Sequence, residues 1–212
     1  LITNEDTLTR GAMLPGSSRK LINYEPGLNG GYSRIEGYSK WNTSAVTGEG
    51  AILGVTPFQG TAIAARKKVG SAEYDIYKGS SVSWGTPING ATVLAEPSTN
   101  VRFTQYAWTA PVVIITDGTN NHMKYDGTTF SVVTGTGVPA DPKYAEEYRG
   151  HLFLSGYSSN TSAITFGQPN KDTLFDPSLG AGELVVGDEV VGLKKFRDSL
   201  YIFCTNRLYY LA

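Results

Sequence analysis

The sequence predicts an all-β protein. Three observations lead there: a composition rich in turn and strand formers, short apolar runs separated by polar turns, and almost no helical periodicity. The 212 residues include 25 Gly and 13 Tyr, and only 17% are charged. Gly, Ser and Asn serve tight turns, and aromatic and β-branched side chains suit a pleated surface. The stretch with some helical character, Lys143–Arg149, runs into Gly150-His151-Leu152 and is expected to enter a strand.

A hairpin-sized unit recurs from about residue 51. Its first copy is Thr61–Arg66, a turn at Val69-Gly70-Ser71, and Glu73–Tyr77. The second is Val112–Thr116, the turn Asp117–Asn121, and His122–Tyr125. The third is His151–Ser155, a turn at Ser158–Asn160, and Ala163–Phe166. The fourth is Leu200–Cys204, the turn Thr205–Arg207, and Leu208–Leu211. The central residues Ile63, Ile114, Phe153 and Ile202 are 51, 39 and 49 positions apart. A period near 40–50 residues with one hairpin per unit is the signature of a β-propeller. Further strands are expected at Ser81–Trp84 and Thr129–Val133. Runs such as Val112–Ile115 are apolar at consecutive positions, as a strand buried on both faces requires. The predicted domain occupies residues 51–212 with about four hairpin repeats, and further blades are expected from sequence outside this chain.

Residues 1–50 read differently. Turn signals at Pro15-Gly16, Pro26-Gly27 and Asn29-Gly30-Gly31 and scarce apolar runs predict an extended arm with one short hairpin around Gly30-Gly31. Tyr24, Tyr32, Tyr38 and Trp41 are its apolar anchors. The chain begins at Leu1 and ends within a strand pattern, and is expected to be part of a longer protein.

Bulk charge narrows the function. The formal net charge is −1, so no global field gathers nucleic acid or an anionic surface. No apolar run approaches the roughly 18 residues of a membrane helix, and no membrane partner is expected. Cys204 is the single cysteine, which excludes an intrachain disulfide and suits a buried thiol.

No catalytic or metal-binding set emerges, and neither an enzyme nor a cofactor is expected. His122 and His151 have no companion His or Cys at metal-ligand spacing. Asp117–Asn121 opens like a calcium loop but lacks its closing acid, and a hairpin turn accounts for each residue. Glu146-Glu147 and Asp188-Glu189 are sequence neighbours, which on a strand point to opposite faces. Arg66-Lys67-Lys68 is the one dense basic cluster, at a hairpin tip. It reads as a solvated turn or as a phosphate contact lining a DNA channel.

The stretch Arg19–Tyr38 resembles the opening of tailed-bacteriophage structural proteins, in which a Leu-x-Asn segment leads through a Gly-rich turn to Arg-x-x-Gly-Tyr/Phe. The matching positions are Leu21, Asn23, Gly30, Gly31, Arg34, Gly37 and Tyr38. Gly192–Phe203 is similar to a blade start in the same group. The group comprises head-closure or DNA-stabilisation hubs and tail nozzles, usually longer than this chain, with propeller domains behind such an arm. The resemblance implies a virion protein of the tail or neck that assembles as a homo-oligomeric ring below the portal. Its expected partners are portal, adaptor and tail components, with non-specific contact to packaged DNA. Tyr24, Tyr32 and Tyr38 would then anchor the arm on a neighbouring subunit. The alternative reading is a carbohydrate-binding or host-adhesion propeller module, in which exposed Trp and Tyr stack on sugars.

Overall fold

The structure, a computed structural model, describes residues 22, 24–26, 32–34, 37, 39–97 and 100–212. It divides into two compact units between Trp41 and Asn42. In the first, β1 (Tyr24–Pro26) pairs antiparallel with β2 (Tyr32–Arg34), forming the hairpin expected around Gly30-Gly31. The second unit begins at Asn42, earlier than the expected boundary at 51, because residues 42–50 lie on its first sheet.

That unit consists of four antiparallel sheets in chain order. Sheet I runs β3 (Ile52–Phe58), β4 (Thr61–Lys67), β5 (Glu73–Gly79) and β6 (Trp84–Pro87), with β7 (Leu94–Ala95) also on β5. Sheet II runs β8 (Arg102–Ala107), β9 (Pro111–Thr116), β10 (Met123–Tyr125) and β11 (Phe130–Val132). Sheet III runs β12 (Tyr144–Tyr148), β13 (His151–Ser155), β14 (Ala163–Phe166) and β15 (Gly182–Val185). Sheet IV has three strands, β16 (Val190–Phe196), β17 (Ser199–Cys204) and β18 (Leu208–Leu211). Each sheet is a meander, and first strands neighbour one another in the order β3, β8, β12, β16. This is a β-propeller-like all-β fold. The four repeated hairpins are the second and third strands of the sheets, and the axial strands are the ones that precede them. The Lys143–Arg149 stretch supplies one of these, β12.

Tight turns join first strands to second. Gln59-Gly60 and Arg149-Gly150 each place two consecutive residues at positive φ, at 48° and 73° and at 50° and 78° respectively. Two-residue loops of this kind match the twist of the strands they connect.

Three apolar cores lie between successive sheets. With "forward" meaning toward the next sheet, Ile63, Ala65, Tyr74 and Ile76 of sheet I meet Val113, Ile115, Met123 and Tyr125 of sheet II. Val112 and Ile114 point forward from sheet II onto Ala145, Leu152, Leu154 and Ala163. Phe153 and Ile164 point forward from sheet III onto Val190, Leu193, Leu200 and Ile202. Alternate residues of β9 and β13 therefore serve two cores, which is why these strands are apolar without interruption. At β3 a glycine allows close approach. A Cβ on Gly54 would collide with the Val101 carbonyl oxygen and the Phe103 ring, where the Val101 N–H donates to the Leu53 carbonyl at 3.0 Å.

One titratable group is sealed between sheets II and III. His122 is fully buried with its ring edge on Phe175, and Nε2 lies 3.2 Å from the Asp172 carbonyl oxygen. Nδ1 has no partner among the described residues. Burial pulls its pKa down to about 4, against the pull of the Asp172 carbonyl.

Two predictions follow from these contacts. The unfolded chain binds a proton at His122 near pH 6.5 and the folded chain only near 4, so stability present above pH 6.5 is lost as pH falls through that window. The loss amounts to about 3 kcal/mol. Urea denaturation from pH 7.5 to 4 checks it, and His122→Gln should flatten that part of the profile. Gly54→Ala should destabilise by about 1–3 kcal/mol, since backbone must shift to admit the methyl. Gly85→Ala, whose Cβ would meet only the Lys78 carbonyl at 3.5 Å, serves as the control.

Candidate functional site

The first strands of all four sheets wall a cavity of about 580 Å³ at the sheet axis. Gly54 and Val55 of β3, Arg102 of β8, Tyr144 and Glu146 of β12 and Lys194 of β16 are among its lining residues. The Arg102 guanidinium lies 4.8 Å from the Tyr144 ring centroid, so one cation is held against an aromatic face. A second recess of about 370 Å³ shares Glu146 and Lys194 and adds Glu147, Lys195 and Gln105.

Charge at the axis is paired across sheets III and IV. Glu146, 8% exposed, accepts from Lys194 Nζ at 2.9 and 3.1 Å and from the Lys195 backbone N–H at 3.1 Å. Glu147 accepts from Lys195 Nζ at 3.0 Å and from the Gly150 N–H at 3.0 Å. Burial acts to raise the Glu147 pKa. The Gly150 N–H, the Lys195 ammonium and the Trp108 indole outweigh it and hold the carboxyl below its ordinary range. Gln105 Nε2 donates to Thr56 Oγ1 at 2.7 Å, and Thr104 Oγ1 donates to the Ala145 carbonyl at 2.6 Å. These polar bonds tie sheet I to II and II to III where the apolar cores give way to the axis.

The expected basic cluster occupies another place. Arg66 and Lys67 end β4, Lys68 follows it, and none of them lines the axial cavity. Arg66 Nε donates to the Gly50 carbonyl at 2.7 Å, and its guanidinium also reaches the Val46 carbonyl. Lys67 pairs with Glu96 at 2.8 Å, and Lys68 with Glu73 at 3.1 Å and Asp75 at 3.3 Å. Lys67 and Lys68 are thus paired with carboxylates of their own unit, and Arg66 is held by backbone carbonyls. Among the arm residues, Tyr24 and Trp41 are exposed, while the side chains of Tyr32 and Tyr38 lie outside the described residues.

The remaining candidates are structural in their contacts. Asp117 Oδ1 accepts from the backbone N–H groups of Thr119 and Asn120, and Oδ2 accepts from the Tyr74 hydroxyl at 2.7 Å. Its oxygens therefore build the turn. His151 Nδ1 lies 2.7 Å from the Gly167 carbonyl oxygen, and its ring meets Phe153 and Phe166 edge-on. Asp188 accepts from the Asn206 N–H at 2.9 Å, bracing the turn between β17 and β18. Among the described residues no three of His, Cys, Asp and Glu gather as metal ligands would. Cys204 is buried, and burial raises its thiol pKa.

Sequence reasoning missed the pairing of Glu146 and Glu147 with Lys194 and Lys195. A signal was present in the spacing. Glu146 and Lys194 are 48 positions apart, His122 and Asp172 50, Tyr148 and Asp198 50, and Gln105 and Thr56 49. These four bonds between adjacent sheets fall near one repeat length, while others, such as Thr116 to Lys143 at 27 and Tyr106 to Asp172 at 66, do not.

No family model matches the chain, and no curated protein matches it. Among solved structures it is similar to the computationally designed Ika4 protein, at 10% sequence identity and a TM-score of 0.48. The match covers 82% of this chain and 99% of that one.

Glu146→Ala should destabilise by about 1–3 kcal/mol, because the buried carboxylate's charge-assisted bonds to the Lys194 ammonium and the Lys195 N–H are lost. Lys194→Ala should cost less than about 1 kcal/mol, since that side chain is 68% exposed. Equilibrium urea unfolding of the two variants reads the asymmetry.

Proposed function

We propose that this protein is a structural component of a tailed-bacteriophage virion, in the tail or neck, where it assembles with other copies into a ring below the portal and helps form or close the DNA channel. The observation that carries the reading is the sequence motif Leu21, Asn23, Gly30, Gly31, Arg34, Gly37 and Tyr38, in that order along the chain, ahead of a propeller-like domain. The physical character of the domain supports it. Stacked meanders with three continuous cores make a stiff block, and the axial carboxylates Glu146 and Glu147 are each bound to a lysine. With Lys67 and Lys68 paired to carboxylates and Arg66 held by backbone carbonyls, any contact with packaged DNA would be weak and non-specific. Immunogold labelling of purified particles tests the assignment. Label on the tail or neck is the expected result, and particles without label would overturn it.

A second reading, a carbohydrate-binding or host-adhesion module, is favoured by one recess of about 400 Å³ between sheets II and III. Tyr106 and Trp108, with ring centroids 4.4 Å apart, share it with Lys124, Asp126, Asn170 and Asp172. Aromatic walls with amide and carboxylate neighbours suit a polyol. A glycan array read with the parent protein and Trp108→Ala decides it: a glycan bound by the parent and lost in the variant would favour this reading.

A further inference from the structure

We infer that the segment joining β14 to β15, residues 167–181, is an acid-released strap: it is latched across the junction of sheets II and III at Asp172 and His122, and it lifts when the imidazole takes a proton. The inference goes beyond the proposed function and does not rest on it. Sheets II and III each have a further sheet on their other side, so the seat of the strap is complete within this chain.

The strap is held at few points. Much of its backbone bonding is internal, as where the Gln168 N–H donates to the Leu174 carbonyl at 3.0 Å, and the Asn170 N–H reaches out to the Gly150 carbonyl at 2.6 Å. Phe175 is the residue it lends to the core between sheets II and III. Asp172 is the latch. Its Oδ2 accepts from the Tyr106 hydroxyl of β8 at 2.7 Å and pairs with the Lys124 ammonium of β10 at 2.7 Å. Its carbonyl lies 3.2 Å from His122 Nε2. His122 itself stays with sheet II, because its own carbonyl accepts the Val133 N–H at 3.0 Å. Asn170 and Asp172 also wall the recess that holds Tyr106 and Trp108, so release of the strap widens that recess and uncovers the seat of Phe175.

The strap seals the imidazole, and this makes the latch sensitive to acid. The Phe175 ring stands edge-on to it at 5.6 Å between centroids, and the Asp172 carbonyl calls for the proton on Nε2. Nδ1 is left as a lone pair with no partner among the described residues. A second proton would set an unanswered N–H and a full charge in an apolar enclosure, which is why burial holds the pKa near 4. Asp172 attracts that charge, but its carboxylate is already answered by Tyr106 and Lys124. Of the strap's other charged groups, Asp176 is bound to the Ser178 N–H at 2.9 Å and Lys171 is exposed. Residues 134–138, where Gly137 meets the Phe175 carbonyl, carry no titratable side chain. Sheet III faces the core here with Leu152, Leu154 and Ala163. Lifting the strap brings water to the ring without parting the sheets. The neutral ring therefore favours the latched strap, and protonation below about pH 6.5 favours release.

Amide hydrogen exchange on the full chain tests this, read by mass spectrometry over residues 167–176 and over β9 and β13, and corrected for the intrinsic pH dependence of exchange. Between pH 7.5 and 5 the opening constant of the strap should rise about thirtyfold. Strap amides should exchange faster than those of β9 and β13 at both pH values. Low urea should leave strap exchange unchanged and speed the two strands, since lifting exposes little surface and global unfolding exposes much. His122→Gln, whose amide can donate to the same carbonyl, should cut the pH effect on the strap to less than about twofold. Strap amides as slow as those of β13 and accelerated by urea in step with them would overturn the inference, because the strap would then open only with the whole domain. A strap opening constant that is the same at both pH values would overturn it too, as would a pH effect that survives in His122→Gln. The parent protein alone supplies the first two readings, so the test stands even where the variant fails to fold.

Discussion

The fold depends on one constraint: a strand that is apolar on both faces must have a sheet on each side. β9 and β13 meet it, and they do so by drawing sheets I through IV into a single series of cores. Burying both faces of such a strand removes about twice the apolar area that a one-sided sheet would, at roughly 25 cal/mol per Å². The same demand sets the strand order. Each meander leads outward from an axial strand, and the next must return to the axis before its own second strand can cover the last one's forward face. The polar bonds of Gln105 and Thr104 and the pairs of Glu146 and Glu147 then lie along the first strands, where the sheets wall the axial cavity.

Much of this was legible in the sequence, though unevenly. Second and third strands declared themselves through uninterrupted runs such as Val112–Ile115 and through the spacing of Ile63, Ile114, Phe153 and Ile202. The axial strands were harder to see, because β3 contains Gly54 and Pro57 and β8 alternates polar residues with its aromatics. Those features are what close approach at an axis requires, and they weaken the usual strand signal. The Leu200–Cys204 run reads as buried on both faces, and among the described residues only one face is covered. The period was read correctly as a fold signal but was not applied to polar residues, and so the partners of Glu146 and Glu147 went unnoticed.

The basic hairpin tip shows a different limit. Charge density along a sequence does not reveal which carboxylates and carbonyls fold back onto it. Arg66, Lys67 and Lys68 meet Glu73, Asp75, Glu96 and the 42–50 segment, all within 30 positions and all on sheet I. Local sequence would have sufficed for the first two acids. The carbonyls of Val46 and Gly50 come into reach only once that segment lies across the sheet.

The spacing of the hairpin repeats, 51, 39 and 49 positions, bears on how the molecule forms. Every new sheet closes a chain loop of about the same length onto its predecessor, and the closure entropies for loops of 39 and 51 residues differ by only roughly 0.2 kcal/mol. No sheet waits on a distant one, as strands do in folds whose ends must meet first. Assembly can therefore advance one unit at a time along the polypeptide, in the quasi-one-dimensional manner of repeat arrays. Synthesis from the ribosome would deliver the units in the order in which they dock.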